Sequence, residues 1–493
     1  MKRSSHAEKP DVPSNKTNDI GGDDDSINAH HVDGSQSNKK RKKCGGRRKL
    51  RLLLHTVDGC VPFLTPSLLE RYFPPTDHDD LWLGLAVRDT CITPSSSSPP
   101  PPSSSGDGTA QTRHNRLIKS TTQQSASSTD AAASGRGYSF SPNVVPDPWL
   151  APYTRFTVPS FNLVEDNKSA ADGRGKSKSN EDVTWTGDSL LIWTPNGRQA
   201  MTSTMYTRSS MGLASHHALS LYDMAPPQSG KKRQEKARKR CLTLWEDFLW
   251  QHHQENDDAM NIDETKPLTQ SSSSSKLWTP VLLPLVQHEE TRRHTIQSLQ
   301  QAHGLAIIGD WDDSFASQIA ELQQNTDSDA KDVAVLAAQS LNEILSIVES
   351  NTVNVIGSNL PARWSVQKRA LIIDIDDKND VVDNHHQQQE HPRDSQADTI
   401  GIDADGCIDV TDKRYERDAD PLLPGCTCMT CRDAQFTRTY IHHLIQAKEM
   451  IADTLLFAHN LHHLLGLIRR LSTCDDLEAA VAHLRKQLRQ EIE

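Results

Sequence analysis

The order of hydrophobic and polar positions along the chain predicts short strands that alternate with helices. Strand-like apolar runs occur at residues 51–56, 81–87, 189–193, 277–286 and 304–309. Helix-like spacing of apolar residues occurs at 294–303 and 332–349, in a basic segment at 231–240 that becomes amphipathic up to Leu249, and in the run 201–222, which ends in a short strand. Alternation of this kind is typical of parallel βα units.

Polar, low-complexity stretches interrupt the pattern. Residues 1–47 are predicted to form a disordered basic and polar tail, followed by one domain over 48–493. Low-complexity inserts are predicted near residues 92–136, 165–182, 252–276 and 376–400. Only 35% of the residues are hydrophobic, so a good part of the chain cannot bury a core. The remainder, about 300 residues, suits a single barrel-sized domain.

Charge and cysteine content narrow the function classes. The net charge of −11 gives no general case for nucleic-acid binding, although basic runs occur at 39–51 and 231–240. Nine cysteines, an odd number, without a secretory signal or an apolar run long enough to span a membrane predict a reducing, cytoplasmic location. The run 40–43 is read as a solvated basic tail, with a nuclear import signal as the alternative.

The strongest chemical signal is a cluster of three cysteines near the C-terminus. Cys426, Cys428 and Cys431 lie within six residues and precede an amphipathic helical run to His459. Thiolates with one imidazole suit zinc, and four protein ligands make a closed, structural site. A disulfide or three unrelated thiols is the alternative. Further histidines nearby compete for the fourth position, namely His442, His443, His462 and His463.

Residues 421–471, which read PLLPGCTCMTC and then TRTYIHHLIQAKEMIADTLLFAHNLHHLLGLI, resemble the zinc-binding segment of the tRNA-guanine transglycosylases, also called queuine tRNA-ribosyltransferases. The text around Pro62, Leu64 and Pro66 resembles the start of the same family's barrel. The resemblance implies His459 as the fourth ligand of one structural zinc ion per chain. It also implies an α/β fold, a (β/α)8 TIM-type barrel with a C-terminal zinc-binding subdomain and long disordered insertions.

The positions that carry catalysis in this family have changed. Its members exchange an anticodon guanine of tRNA for a modified deazaguanine, and the resemblance places their nucleophilic aspartate at Gly357. Their proton-transfer aspartate falls on Asn196, and a glycine-rich part of the base pocket falls on residues 287–289. Asp223 stands where a base-binding aspartate is expected, with a structural role at a strand end as the alternative.

A retained zinc segment with altered catalytic motifs resembles the family's non-catalytic subunit. This implies a heterodimer with the catalytic queuine tRNA-ribosyltransferase subunit, and tRNA as substrate of the complex. The cytoplasm is the expected location, with the outer surface of mitochondria added by the resemblance; peripheral membrane association cannot be read from the residues. An active transglycosylase and a zinc-dependent nucleic-acid-binding adaptor are the alternatives.

The two subunits are expected to meet through their zinc-bearing segments. The apolar residues predicted to form this surface are Tyr440, Leu444, Ile451, Leu455, Leu464, Leu465 and Ile468. Closure of the barrel by the same residues is the alternative.

Overall fold

The chain divides into two units, Met1–Gly46 and Arg47–Glu493. The computed structural model describes residues 49–57, 60–75, 80–87, 152–159, 184–186, 188–194, 197–213, 215–223, 229–260, 275–282, 289–308, 311, 313–324, 331–373 and 401–490. All of these lie in the second unit. The predicted tail and the inserts near 92–136, 165–182 and 376–400 lie outside the described residues.

The strands of the described residues follow in chain order. They are β1 Arg51–His55, β2 Leu81–Ala86, β3 Thr154–Val158, β4 Thr184–Thr186, β5 Ser189–Thr194, β6 Gly197–Met201, β7 His217–Leu219, β8 Lys276–Leu282, β9 Gly304–Ile308, β10 Asp332–Val335, β11 Val355–Ser358, β12 Arg369–Leu371 and β13 Cys407–Asp409.

The helices are α1 Pro66–Tyr72, α2 Ser203–Gly212, α3 Lys231–Met260, α4 Glu289–Gln301, α5 Asp313–Gln324, α6 Leu341–Glu349, α7 Leu360–Val366, α8 Arg438–Gln446, α9 Ile451–Thr473 and α10 Leu477–Gln490. None of the helices in the described part of the chain is long and apolar enough to cross a membrane.

Eight of the described strands close into a parallel barrel, in the order β1-β11-β10-β9-β8-β7-β3-β2. Each neighbouring pair runs parallel, and β11 returns to pair with β1 from Arg51↔Val355 to Leu54↔Ser358. The predicted TIM-type barrel is therefore confirmed. The predicted strand at 189–193 is β5, which pairs antiparallel with β6 outside the barrel, in a sheet with β4. Residues 195 and 196 of the predicted turn lie outside the described residues.

One predicted element is wrong, and one predicted insert begins later than expected. The expected single helix over 332–349 is instead β10 followed by α6, because residues 332–335 pair with β9 and the Ser340 side chain caps a new helix by accepting from the Glu343 amide. The basic helix α3 continues to Met260, into the predicted insert 252–276, and His252 on that extension is buried against Phe248. Residues 261–274 lie outside the described part of the chain.

An aromatic and polar layer fills the barrel at the amino ends of its strands. The His217 ring stacks on Trp82 with 4.2 Å between ring centroids, and the Trp278 indole donates to His217 Nδ1 at 3.0 Å. Burial, reinforced by nearby His303, Lys276 and His216 and opposed by Asp332, lowers the pKa of His217 to about 2. His217 is therefore neutral in the folded protein at neutral pH.

The C-terminal helices connect the barrel to a second, smaller core. Helix α9 packs on α7 and β12, and the Asn460 side chain accepts from the Leu371 amide at 2.8 Å and donates to the Arg369 carbonyl at 3.0 Å. The smaller core contains residues of β12, β13 and α8 together with Cys428 and Cys431. Residues that precede the cysteines, in β12 and β13, and residues that follow them, in α8, thus pack with the cysteine segment beside α9.

Candidate functional site

The three cysteines lie on a tight loop whose backbone points amide groups at sulfur. The loop begins at Gly425, which has a positive φ of 82°. The Cys428 amide donates to Cys426 Sγ at 3.4 Å, and the Cys431 amide donates to Cys428 Sγ at 3.3 Å. Amide donors favour the charged form of a sulfur acceptor, so this loop suits thiolates.

His459 approaches the sulfurs from the middle of α9, where it is fully buried. Its Nε2 lies 2.8 Å from the Leu371 carbonyl oxygen, which can only accept. The proton is therefore on Nε2, and the lone pair of Nδ1 faces Cys431 Sγ at 3.3 Å and Cys428 Sγ at 3.5 Å. A backbone carbonyl that fixes the ring in this way is typical of metal-binding histidines.

The structure thus brings together all four predicted ligands. Single ligand atoms of Cys426, Cys428, Cys431 and His459 all lie within 4.8 Å of one another, a grouping that could hold a metal ion. Hydrogen bonds from Cys426 and Cys431 lower the pKa of the Cys428 thiol. Three soft sulfurs and one nitrogen, three of the four residues being buried, fit a closed structural site.

The other candidate histidines have different roles. His442 is buried and its Nδ1 lies 2.9 Å from the Val410 carbonyl, and His443 is exposed. His463, one turn beyond His459, has its Nε2 3.1 Å from Cys426 Sγ. Burial lowers the pKa of His463 to about 2, so the ring is neutral and can donate an N–H to the sulfur. Sequence reasoning treated His463 as a competing ligand and missed this contact.

Gly357 is the third residue of β11, in register with Leu53 of β1. A Cβ atom on Gly357 would lie 2.1 Å from the Leu336 carbonyl oxygen and 2.6 Å from its carbonyl carbon. No side chain fits there without movement of the backbone at Leu336, just beyond the end of β10. Of the other predicted catalytic positions, Asn196 and residues 287–288 lie outside the described residues, and Glu289 begins α4 at the surface.

Asp223 lies beyond the carboxyl end of β7 and is only 1% exposed. Arg233 donates to both of its carboxylate oxygens at 3.0 and 2.6 Å, and Arg240 donates at 2.5 Å. The Asp223 amide also donates to Cys241 Sγ at 3.1 Å. The carboxylate is thus engaged by the helix that follows it.

The predicted apolar contact surface is largely wrong. Five of its seven residues are buried within the chain, namely Leu444, Leu455, Leu464, Leu465 and Ile468. Leu464, Leu465 and Ile468 of α9 pack in the barrel core, whereas Leu455 of α9 and Leu444 of α8 pack in the smaller core.

The other two predicted residues, Tyr440 on α8 and Ile451 at the start of α9, are exposed, as is the neighbouring Met450. Ile451 and Tyr440 are 48% and 44% exposed, and Met450 is 74% exposed. Phe63 is joined to this region because its carbonyl accepts from Thr454 Oγ1 at 3.1 Å.

A family profile and several individual proteins that match this chain carry the same family name. The profile of the family described as Queuine tRNA-ribosyltransferase matches residues 174–474. A protein of Anopheles gambiae named "Queuine tRNA-ribosyltransferase accessory subunit 2" is 29% identical over 286 residues, 56% of this chain and 58% of the relative. Proteins of the same name from Trichoplax adhaerens and Drosophila grimshawi are 25% identical over 319 residues and 43% identical over 83 residues, respectively. The Trichoplax match covers 64% of this chain and 73% of the relative, and the Drosophila match covers 16% and 19%. The chain therefore spans about three fifths of the Anopheles relative and about a fifth of the Drosophila relative.

Proposed function

This chain belongs to the queuine tRNA-ribosyltransferase family, and we propose that it is a non-catalytic subunit of a complex that exchanges the wobble guanine of tRNA for queuine. The observation that carries the proposal is the barrel position Gly357, where the backbone of Leu336 leaves no room for a side chain. The name of the relatives, accessory subunit, supports it.

The chemistry explains why this position decides the role. Base exchange through a covalent intermediate needs a carboxylate that attacks the ribose C1′ carbon, displaces guanine, and is itself displaced by the incoming base. At the position that the resemblance assigns to the family's nucleophilic aspartate, this chain has Gly357, whose side chain is a single hydrogen atom. Asp223 does not replace it, because both of its oxygens accept hydrogen bonds from Arg233 and Arg240. Neither Gly357 nor Asp223 is therefore in a position to attack the substrate.

We propose that the ion held by Cys426, Cys428, Cys431 and His459 is zinc. The donor set supports this, since thiolates with one neutral imidazole favour zinc over metals that prefer oxygen. Such an ion has a structural role here. It would fasten the loop at 425–431 to the middle of α9, which in turn is bonded to β12 through Asn460.

The proposed partner is the catalytic subunit, bound at the exposed apolar side chains around the start of α9. A specific interface buries about 800 Å² on each partner, usually with a hydrophobic centre and a polar rim. Phe63, Tyr440, Met450 and Ile451 supply apolar side chains for such a centre. The complex would act on tRNA, and we place it in the cytoplasm or on the outer surface of mitochondria.

Co-expression with the catalytic subunit tests this proposal. The two chains should co-elute in size-exclusion chromatography, and the double variant Met450→Glu and Ile451→Glu should separate them, because two charges would be buried in the interface. Trp250→Glu is the matched control, since Trp250 is 61% exposed on α3. Separate elution of the wild-type chains would contradict the proposal.

A further inference from the structure

The first ten residues of α3 carry a concentration of positive charge that the fold alone does not require. Residues 231–240 contain seven lysines and arginines and one acidic residue, in a chain with a net charge of −11. The second half of the same helix, by contrast, supplies buried apolar side chains such as Trp245 and Phe248. The two parts of α3 therefore meet different surroundings.

The arginines of this segment are used within the chain. Arg233 and Arg240 hold the buried carboxylate of Asp223, and the Arg240 guanidinium also lies 4.7 Å from the centre of the Trp185 ring. Arg238 is buried and binds both oxygens of Glu235. The two ion pairs with Asp223 fix the start of α3 to the residues that follow β7.

The lysines occupy a separate arc of the helix, between the arginine positions. At 100° per residue, Lys231, Lys232, Lys236 and Lys239 fall within an arc of about 140°. All four are exposed. Within the described residues, the ion pairs of this face are those of Glu235, whose carboxylate binds Arg238 at 2.6 Å and Lys239 at 3.3 Å. The face thus keeps a net positive charge directed at solvent.

The position of this face is set by the barrel. Asp223 follows the carboxyl end of β7, and in a parallel barrel all such ends meet at the mouth where TIM-barrel proteins bind their ligands. Because Asp223 holds Arg233 and Arg240, the lysine face stands beside that mouth. Lysines are point charges that contact phosphates without reading sequence.

We propose that the four lysines form a contact surface for the phosphate backbone of an RNA. The identification of that RNA as tRNA rests on the proposed function. The helix rises about 12 Å from Lys231 to Lys239, a length over which one nucleic-acid strand presents about three phosphates. The chain as a whole has a net charge of −11, so a basic face also orients an approaching RNA.

The test measures salt dependence of tRNA binding by the complex of this chain with the catalytic subunit. The variant Lys231→Gln, Lys232→Gln and Lys236→Gln removes three charges from the face. The matched control, Lys276→Gln, Lys413→Gln and Lys486→Gln, removes three exposed lysines elsewhere. The slope of log K against log salt should decrease in magnitude by about two to three units in the face variant, and the control should match wild type.

Two results would overturn the inference: an unchanged slope in the face variant, or an equal change in the control. A face variant that loses the catalytic subunit but keeps the wild-type slope would show a protein interface instead, and would also overturn it. If the wild-type chains do not associate, the proposed function fails separately, and the same salt series on the isolated full chain still decides whether the lysine face binds RNA.

Discussion

Substitution of Gly357 tests whether the barrel mouth has lost the room for a nucleophile. In Gly357→Ala the new Cβ would lie 2.1 Å from the Leu336 carbonyl oxygen, whereas favourable contacts between non-bonded heavy atoms begin at about 3.5 Å. The carbonyl belongs to the backbone, so it can move only with its neighbours. It also accepts from His55 Nε2 at 2.7 Å, and the nearby Ala338 amide donates to the Gly357 carbonyl at 2.8 Å.

The size of the effect follows from these contacts. Overpacking of a buried site costs about 1–3 kcal/mol. Weakening the two hydrogen bonds at Leu336 and Gly357 adds about 0.5–1.5 kcal/mol for each bond that is lost. We therefore expect Gly357→Ala to lower the free energy of unfolding by about 2–6 kcal/mol. Gly357→Asp should cost more, because it also places a carboxylate in a buried strand.

Urea unfolding of the purified chain measures this loss. Gly401→Ala is the control, since its Cβ would meet only the Arg414 side chain at 3.8 Å, and it should stay within about 0.5 kcal/mol of wild type. The reasoning is refuted if Gly357→Ala is as stable as the control. It is also refuted if Gly357→Asp folds normally and traps a covalent RNA adduct.

Three further predictions concern the metal centre and the barrel. Cys428→Ser should lose the metal and loosen α9, because metal binding is coupled to folding; elemental analysis that finds wild-type zinc in the variant would contradict this. His463→Phe should keep one ion per chain but release it faster to a chelator, because the N–H that faces Cys426 Sγ is removed; an unchanged release rate would exclude that role. His217 should lower the free energy of unfolding by up to about 1.4 kcal/mol per pH unit below pH 6.5, because it has its ordinary pKa only when unfolded and takes up a proton there. His217→Gln should reduce the acid slope in denaturant titrations by that amount, and an unchanged slope would assign it to other groups.

The barrel could be predicted because its strands are short apolar runs separated by helices. The prediction of a single helix over 332–349 was wrong, because Val335 and Leu336 continue the apolar spacing of α6 across the loop that separates it from β10. The metal site could be predicted because three of its residues are neighbours in the sequence. His459 required the family resemblance, since a single histidine in a helix carries no such signal.

Other features depend on how distant elements dock. The pairing of Asp223 with Arg233 and Arg240 exists because α3 turns back across the end of β7, and no local pattern encodes that turn. The expected contact surface on α9 was wrong for a related reason. An apolar helix covered by a core on each side has the same sequence pattern as one that keeps an apolar face for a partner, and Leu464 and Leu465 belong to the first kind.

The most direct test of the account is guanine exchange measured with labelled base and tRNA in three samples: this chain alone, the catalytic subunit alone, and the two together. We predict no exchange and no covalent RNA adduct with this chain alone, and faster exchange with both chains than with the catalytic subunit alone. Robust exchange by this chain alone, or a catalytic subunit whose rate is unaffected by its addition, would contradict the central claim.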